Sequence, residues 1–74
     1  MRAKAPGIAF GEAVRAARLQ LGLSQEGLAA EAGLHRTYDG GIERGERNPS
    51  LINIVRLAAA LNTTVATLTK DAGI

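Results

Sequence analysis

Apolar residues recur along this chain at the spacing of a helical face, in short runs closed by glycine, asparagine or proline, and no run alternates as a strand would. From about residue 8 to residue 21, Phe10, Val14, Ala17 and Leu21 follow one another at steps of four, three and four, with Arg15 and Arg18 off that stripe. Gly22 stops this helix, and Ser24 is a good N-cap for a second that runs to about Ala32, with Leu28 and Ala32 on one side. Gly33 breaks it in a left-handed conformation, and a third helix is expected from about His35 to Arg44, ending at Gly45. The loop ERNPS follows, where Asn-Pro disfavours helix and Ser50 caps the next one. In LINIVRLAAAL, residues 51–61, a broad apolar face is expected from Leu51, Ile54, Val55, Ala58 and Leu61. Asn62 closes it, Thr63 or Thr64 caps a fifth helix holding Val65 and Leu68, and the tail from Asp71 is expected to fray. The pattern predicts an all-α domain of five helices spanning residues 1–74, ordered over about 8–70, with no repeat and no linker.

The segment SQEGLAAEAGLHRTYDGGIERG, residues 24–45, is the most informative stretch. Two short helices joined by a glycine turn cannot bury their apolar stripes against each other alone. They need a helical core behind them and leave one helix projecting, its leading face here polar and basic, which is the layout of a DNA-reading helix-turn-helix. Bulk charge would not single this out: the formal net charge is +2 and the isoelectric point about 9.7. Between residues 35 and 47, His35, Arg36, Arg44 and Arg47 are interleaved with Asp39, Glu43 and Glu46, a mixture that on its own reads as a solvated surface.

Other chemistries are narrowed by composition. With no cysteine and a single histidine, His35, there is no disulfide frame, no Cys/His zinc site and no histidine-activated nucleophile to build from, so no metal, cofactor or enzymatic activity is expected. The absence of cysteine agrees with a reducing cytosol without requiring one. The leading MRAKAPGIAFGE has two basic residues, but its apolar part is interrupted by Pro6 and Gly7 and ended by Glu12, too short for a signal sequence, and no apolar run approaches membrane-spanning length.

In LGLSQEGLAAEAGL, RTY, GIERGERNPS and LINIVRLAAALN the chain resembles the Xre, or lambda-repressor-like, helix-turn-helix family, especially its small stand-alone members such as restriction–modification controller proteins. The resemblance covers about residues 10–69 and implies a compact five-helix DNA-binding domain. It implies that Gln25 and Ser24 meet a backbone phosphate at the start of the second helix, where free N–H groups gather. Arg36 and Thr37 correspond to positions that reach base edges in the major groove, Arg36 toward guanine and the Thr37 methyl toward thymine. Gly41 falls where many relatives place a base-reading side chain. Arg44, Arg47 and Asn48 are expected at the sugar–phosphate backbone, with Tyr38 at the protein–DNA boundary and His35 either on a phosphate or, preferably, capping its own helix. The resemblance also pairs Glu43 with Arg18 as a structural ion pair.

Two departures stand out. Asp39 occupies a position where relatives usually have Ile, Val or Leu; a buried carboxylate must be paired or protonated, so either it turns toward an arginine or the third helix packs less tightly. Taken simply as carboxylates one turn apart, Asp39 and Glu43 read as a surface pair. Glycine is the second: Gly27 replaces the usual capping-box Glu, and Gly40 and Gly41 lie inside the reading helix, each costing roughly 1 kcal/mol against alanine.

One such module reads too few bases to find a single site. The expectation is therefore a cytoplasmic regulator of transcription, binding double-stranded DNA as a homodimer whose two reading helices, about 34 Å apart, meet a palindromic operator. Leu61, Val65 and Leu68 are the expected dimer seam. Repression follows from occupying promoter sequence, and activation would need a surface facing RNA polymerase, which the sequence does not reveal. The alternative from another class is an antitoxin-like protein-binding module on the same scaffold, separable by salt dependence.

Overall fold

In the computed structural model, which describes residues 4–74, the chain is helical throughout: α1 (Pro6–Gln20), α2 (Gln25–Ala32), α3 (Arg36–Glu43), α4 (Leu51–Ala60) and α5 (Val65–Ala72), with no strand among the described residues. Arg2, one of the two basic residues of the leading segment, lies outside them. Each helix after α1 starts where a side chain accepts from an otherwise free N–H of its first turn. The Ser24 hydroxyl accepts from the Gly27 N–H at 2.9 Å, Ser50 from Asn53 at 3.2 Å and Thr64 from Thr67 at 3.0 Å. α1 has no side-chain cap; Pro6, with φ already helical and no N–H to satisfy, opens it two residues earlier than the apolar stripe suggests. At the far end, α5 continues through Asp71 to Ala72 and closes on Gly73, so the fraying expected from Asp71 is replaced by an ordered last turn.

α1 packs against α3 and α5, α2 against α3 and α4, and α4 against α5. Phe10, Val14, Leu28, Ala32, Ile42, Leu57, Ala58, Leu61 and Leu68 form the core between them. Burial of each large aliphatic or aromatic side chain there contributes about 1.5–3 kcal/mol.

Three apolar assignments are corrected by this packing. Leu21, counted on the α1 stripe, is 45% exposed, and Arg18 occupies the buried position near the end of the helix instead. On α4 the inward face is Ile54, Leu57, Ala58 and Leu61, spaced three, four and seven residues on from Ile54, whereas Leu51 and Val55 are exposed. The expected dimer seam fails for the same reason: Leu61 and Leu68 are buried in the core and Val65 packs against it, so these residues close the monomer.

Gly11 permits a close approach of α1 to the end of α3. A Cβ there would run into the backbone carbonyl oxygens of Ile42 and Glu43, the latter at 2.7 Å, so α1 can lie against the end of α3 only because residue 11 has no side chain. The position of α3 thus depends on a glycine in a different helix.

Candidate nucleic-acid interface

α2 and α3 are joined through Gly33, whose φ of 71° a residue with a Cβ rarely adopts, and α3 is presented on the surface behind that turn. The His35 side chain caps α3: its Nδ1 accepts from the Thr37 N–H at 3.2 Å. Arg36 and Thr37, the first two residues of the helix, are exposed. A cleft between the starts of α2 and α3 is lined by Ser24, Gln25, Glu26, Arg36, Thr37 and Arg44. The N–H groups of Gln25 and Glu26, in the first turn of α2, have no intrahelical acceptor and sit at the positive end of that helix's dipole.

Beneath α3 lies a polar core. Arg18 Nε donates to Glu43 Oε2 at 2.9 Å and Nη2 to Oε1 at 3.0 Å, a two-pronged pair in which the residues are only 7% and 6% exposed. The remaining Arg18 nitrogen, Nη1, donates to the Leu23 carbonyl at 2.8 Å, and Gln25 Nε2 donates to Glu43 Oε1 at 3.2 Å. α1, the loop before α2, α2 itself and the end of α3 therefore converge on the Arg18–Glu43 pair. The Gln25 amide N–H is engaged inward on Glu43, so the side chain braces α3 against α2 from the position where a phosphate contact was expected.

Asp39, one turn before Glu43, is fully buried, and no donor among the described residues reaches its Oδ1 or Oδ2. Burial pushes its carboxyl up to about 7; the Glu43 carboxylate beside it acts in the same direction and Arg18 pulls the other way. One cation faces two carboxylates, so burial and the Glu43 charge together favour the protonated form of Asp39. The pair is an internal one, which corrects the surface reading of residues 39 and 43. It also eases the apolar-position conflict, since the buried site favours the neutral carboxylic acid.

The outer cations are loosely held. Arg36 stands 3.6 Å from Glu26 and Arg44 2.9 Å from Glu46, all four exposed, and such surface pairs contribute about 0–1 kcal/mol and are readily exchanged for another anion. Arg47 has no ion pair among the described residues, and it and Asn48 are exposed on the loop after α3. Tyr38 is half-buried against the core, its hydroxyl accepting from Asn53 Nδ2 at 3.2 Å, which ties α3 to α4. Gly41, expected among the base-reading positions, is buried beneath the Arg47 side chain. Sequence reasoning missed Glu26, Asn53 and Gly11, each of which acts across elements and carries no local signature.

Two capped helices at a glycine turn, the second exposed at its basic start and braced on a helical core, define a helix-turn-helix protein. The chain belongs to the helix-turn-helix family, whose model matches residues 14–68, in its Xre, lambda-repressor-like branch. Control protein C.SmaI of Serratia marcescens is 51% identical over 63 residues, covering 85% of this chain and 75% of that protein. The crystal structure of the restriction-modification controller protein C.AhdI from Aeromonas hydrophila superposes with a TM-score of 0.81 at 51% identity, over 82% of this chain and 92% of that one. The biofilm master regulator SinR, crystallised in complex with DNA, matches with a TM-score of 0.76 at 33% identity, over 80% of this chain and 95% of that one.

Proposed function

We propose that this chain is a sequence-specific, double-stranded-DNA-binding regulator of transcription, acting in the cytoplasm as a homodimer on a palindromic operator and repressing or autoregulating from it. The observation that carries this reading is the exposed start of α3, Arg36 and Thr37, on a helix braced from behind by the buried Arg18–Glu43 pair. Family membership and the likeness to C.SmaI, C.AhdI and DNA-bound SinR support it.

In this reading Arg36 and Thr37 enter the major groove. The free N–H groups at the start of α2, with Ser24 beside them, take one phosphate, and Arg44, Arg47 and Asn48 take others. The seam between copies is the outer face of α4, where Leu51, Ile52 and Val55 are 71%, 65% and 51% exposed, an apolar patch that water does not favour.

Selection of bound duplexes from a random pool at fixed salt tests this. The expected result is a two-fold-symmetric sequence with half-sites about 34 Å apart. Binding should fall with salt at a log–log slope near −0.9 per phosphate contacted. Recovery of no preferred duplex, or binding indifferent to salt, would refute it.

A further inference from the structure

Gly41 lies in the middle of α3, yet it is buried, and what covers it is Arg47. A Cβ at residue 41 would stand 2.5 Å from Arg47 Cγ, 3.5 Å from Cβ and 3.6 Å from Cδ. These are atoms of the stem, close to the main chain, and not the mobile end of the side chain. Their place is set by the turn after α3, in which the Glu46 and Arg47 N–H groups both donate to the Gly41 carbonyl, at 2.8 and 3.2 Å. The turn folds back on Gly41 and drives the arginine stem across its Cα. Gly40 is different: a Cβ there would meet Arg44 Nη1 at 3.0 Å and Gln25 Oε1 at 3.3 Å, the ends of flexible side chains that can swing aside.

We propose that Gly41 is a positioning residue for DNA binding: with no side chain it lets the Arg47 stem lie flat across α3, holding the guanidinium at the C-terminal flank of the reading helix to take a backbone phosphate. This role rests on the DNA-binding reading above. Any side chain at residue 41 forces Arg47 into another rotamer or lifts the turn, so the phosphate contact is lost although Arg47 itself is unchanged. The glycine, costly to the helix, is thereby accounted for by what lies on top of it.

The test is a cycle of four proteins, wild type, Gly41→Ala, Arg47→Ala and the double variant, each measured for thermal melting and for affinity to a mixed-sequence 24-base-pair duplex across a salt series, since a phosphate contact needs no particular sequence. Wild type should bind with a steep salt slope. Gly41→Ala and Arg47→Ala should each make that slope shallower by about 0.9, the loss of one phosphate. The double variant should match either single one, because both remove the same contact. If Gly41→Ala melts early, Arg47→Ala added to it should restore melting by removing the collision, which equally supports the contact. A wild-type protein that binds while Gly41→Ala keeps the full slope, or losses that simply add in the double variant, would overturn the role of Gly41 alone. A wild-type protein that binds no duplex would overturn the DNA-binding reading, and this role with it.

Discussion

The two sides of α3 and α4 are built on opposite principles. Under α4 the core is Leu57, Ala58, Leu61 and Leu68, apolar groups whose attraction is non-directional and indifferent to pH. Under α3 the packed groups are Arg18, Gln25, Asp39 and Glu43, which hold only in one geometry and one protonation state. The apolar side supplies most of the burial, while the polar side fixes where α3 stands. The separation teaches that helix position and overall stability are open to separate manipulation in this fold.

The largest break in that contrast is Arg18→Ala. It leaves Glu43 and Asp39 buried with no cation, and a loss of about 4 kcal/mol is expected by denaturant unfolding. Glu43→Ala should cost less, because Asp39 can ionise in its place beside Arg18, and it should lower stability before it alters sequence preference; unchanged melting with altered DNA binding would refute the bracing role. On the apolar side, Leu57→Ala should cost about 3 kcal/mol at any pH through the cavity it leaves.

Gly11→Ala tests the contact between the two sides. Its methyl group would collide with the Ile42 and Glu43 carbonyl oxygens, so α1 and α3 must separate, at a cost of about 2 kcal/mol. DNA affinity should drop with stability here, since the displaced element is α3, the proposed reading helix. A variant as stable as wild type would mean that the close approach is not needed.

Asp39 gives the sharpest signature, because its effect depends on pH. Its carboxyl is raised from 3.8 to about 7, so the folded state holds a proton that the unfolded state releases. The stability it permits is fully present below about pH 4, declines as pH rises from there to about 7, and is flat above, by an amount on the order of a few kcal/mol. Asp39→Asn should remove that decline and be more stable than wild type at pH 8. Parallel stability–pH curves for the two proteins between pH 4 and 7 would show that Asp39 does not hold this proton.

Much of the architecture was legible in residues alone, because caps and breakers are local: Ser24, Gly33, Ser50 and Thr64 marked helix boundaries to within a residue or two. What escaped depended on partners distant in sequence. Periodicity cannot say which of two adjacent faces of α4 turns inward, and it is the face of Leu57 that does so, not that of Leu51 and Val55. Leu61, Val65 and Leu68 looked like surplus apolar surface until α1 and α2 were in place to cover them. Asp39 was visible as a conflict but not as a protonated acid, since that state requires Glu43 and Arg18 to converge on it in three dimensions. The sequence does not show that the Arg47 stem lies over Gly41, because that contact depends on how the turn after α3 folds back.

The central claim is that the exposed start of α3 reads base sequence while the polar core behind it only holds it in place. Selecting duplexes from one random pool with wild type and with Arg36→Ala, side by side at the same salt, tests it most directly. The expected outcome is a symmetric preferred sequence for wild type, with Arg36→Ala melting unchanged but losing discrimination at one position in each half-site, by about 1–3 kcal/mol. Identical preferred sequences from the two proteins would contradict it.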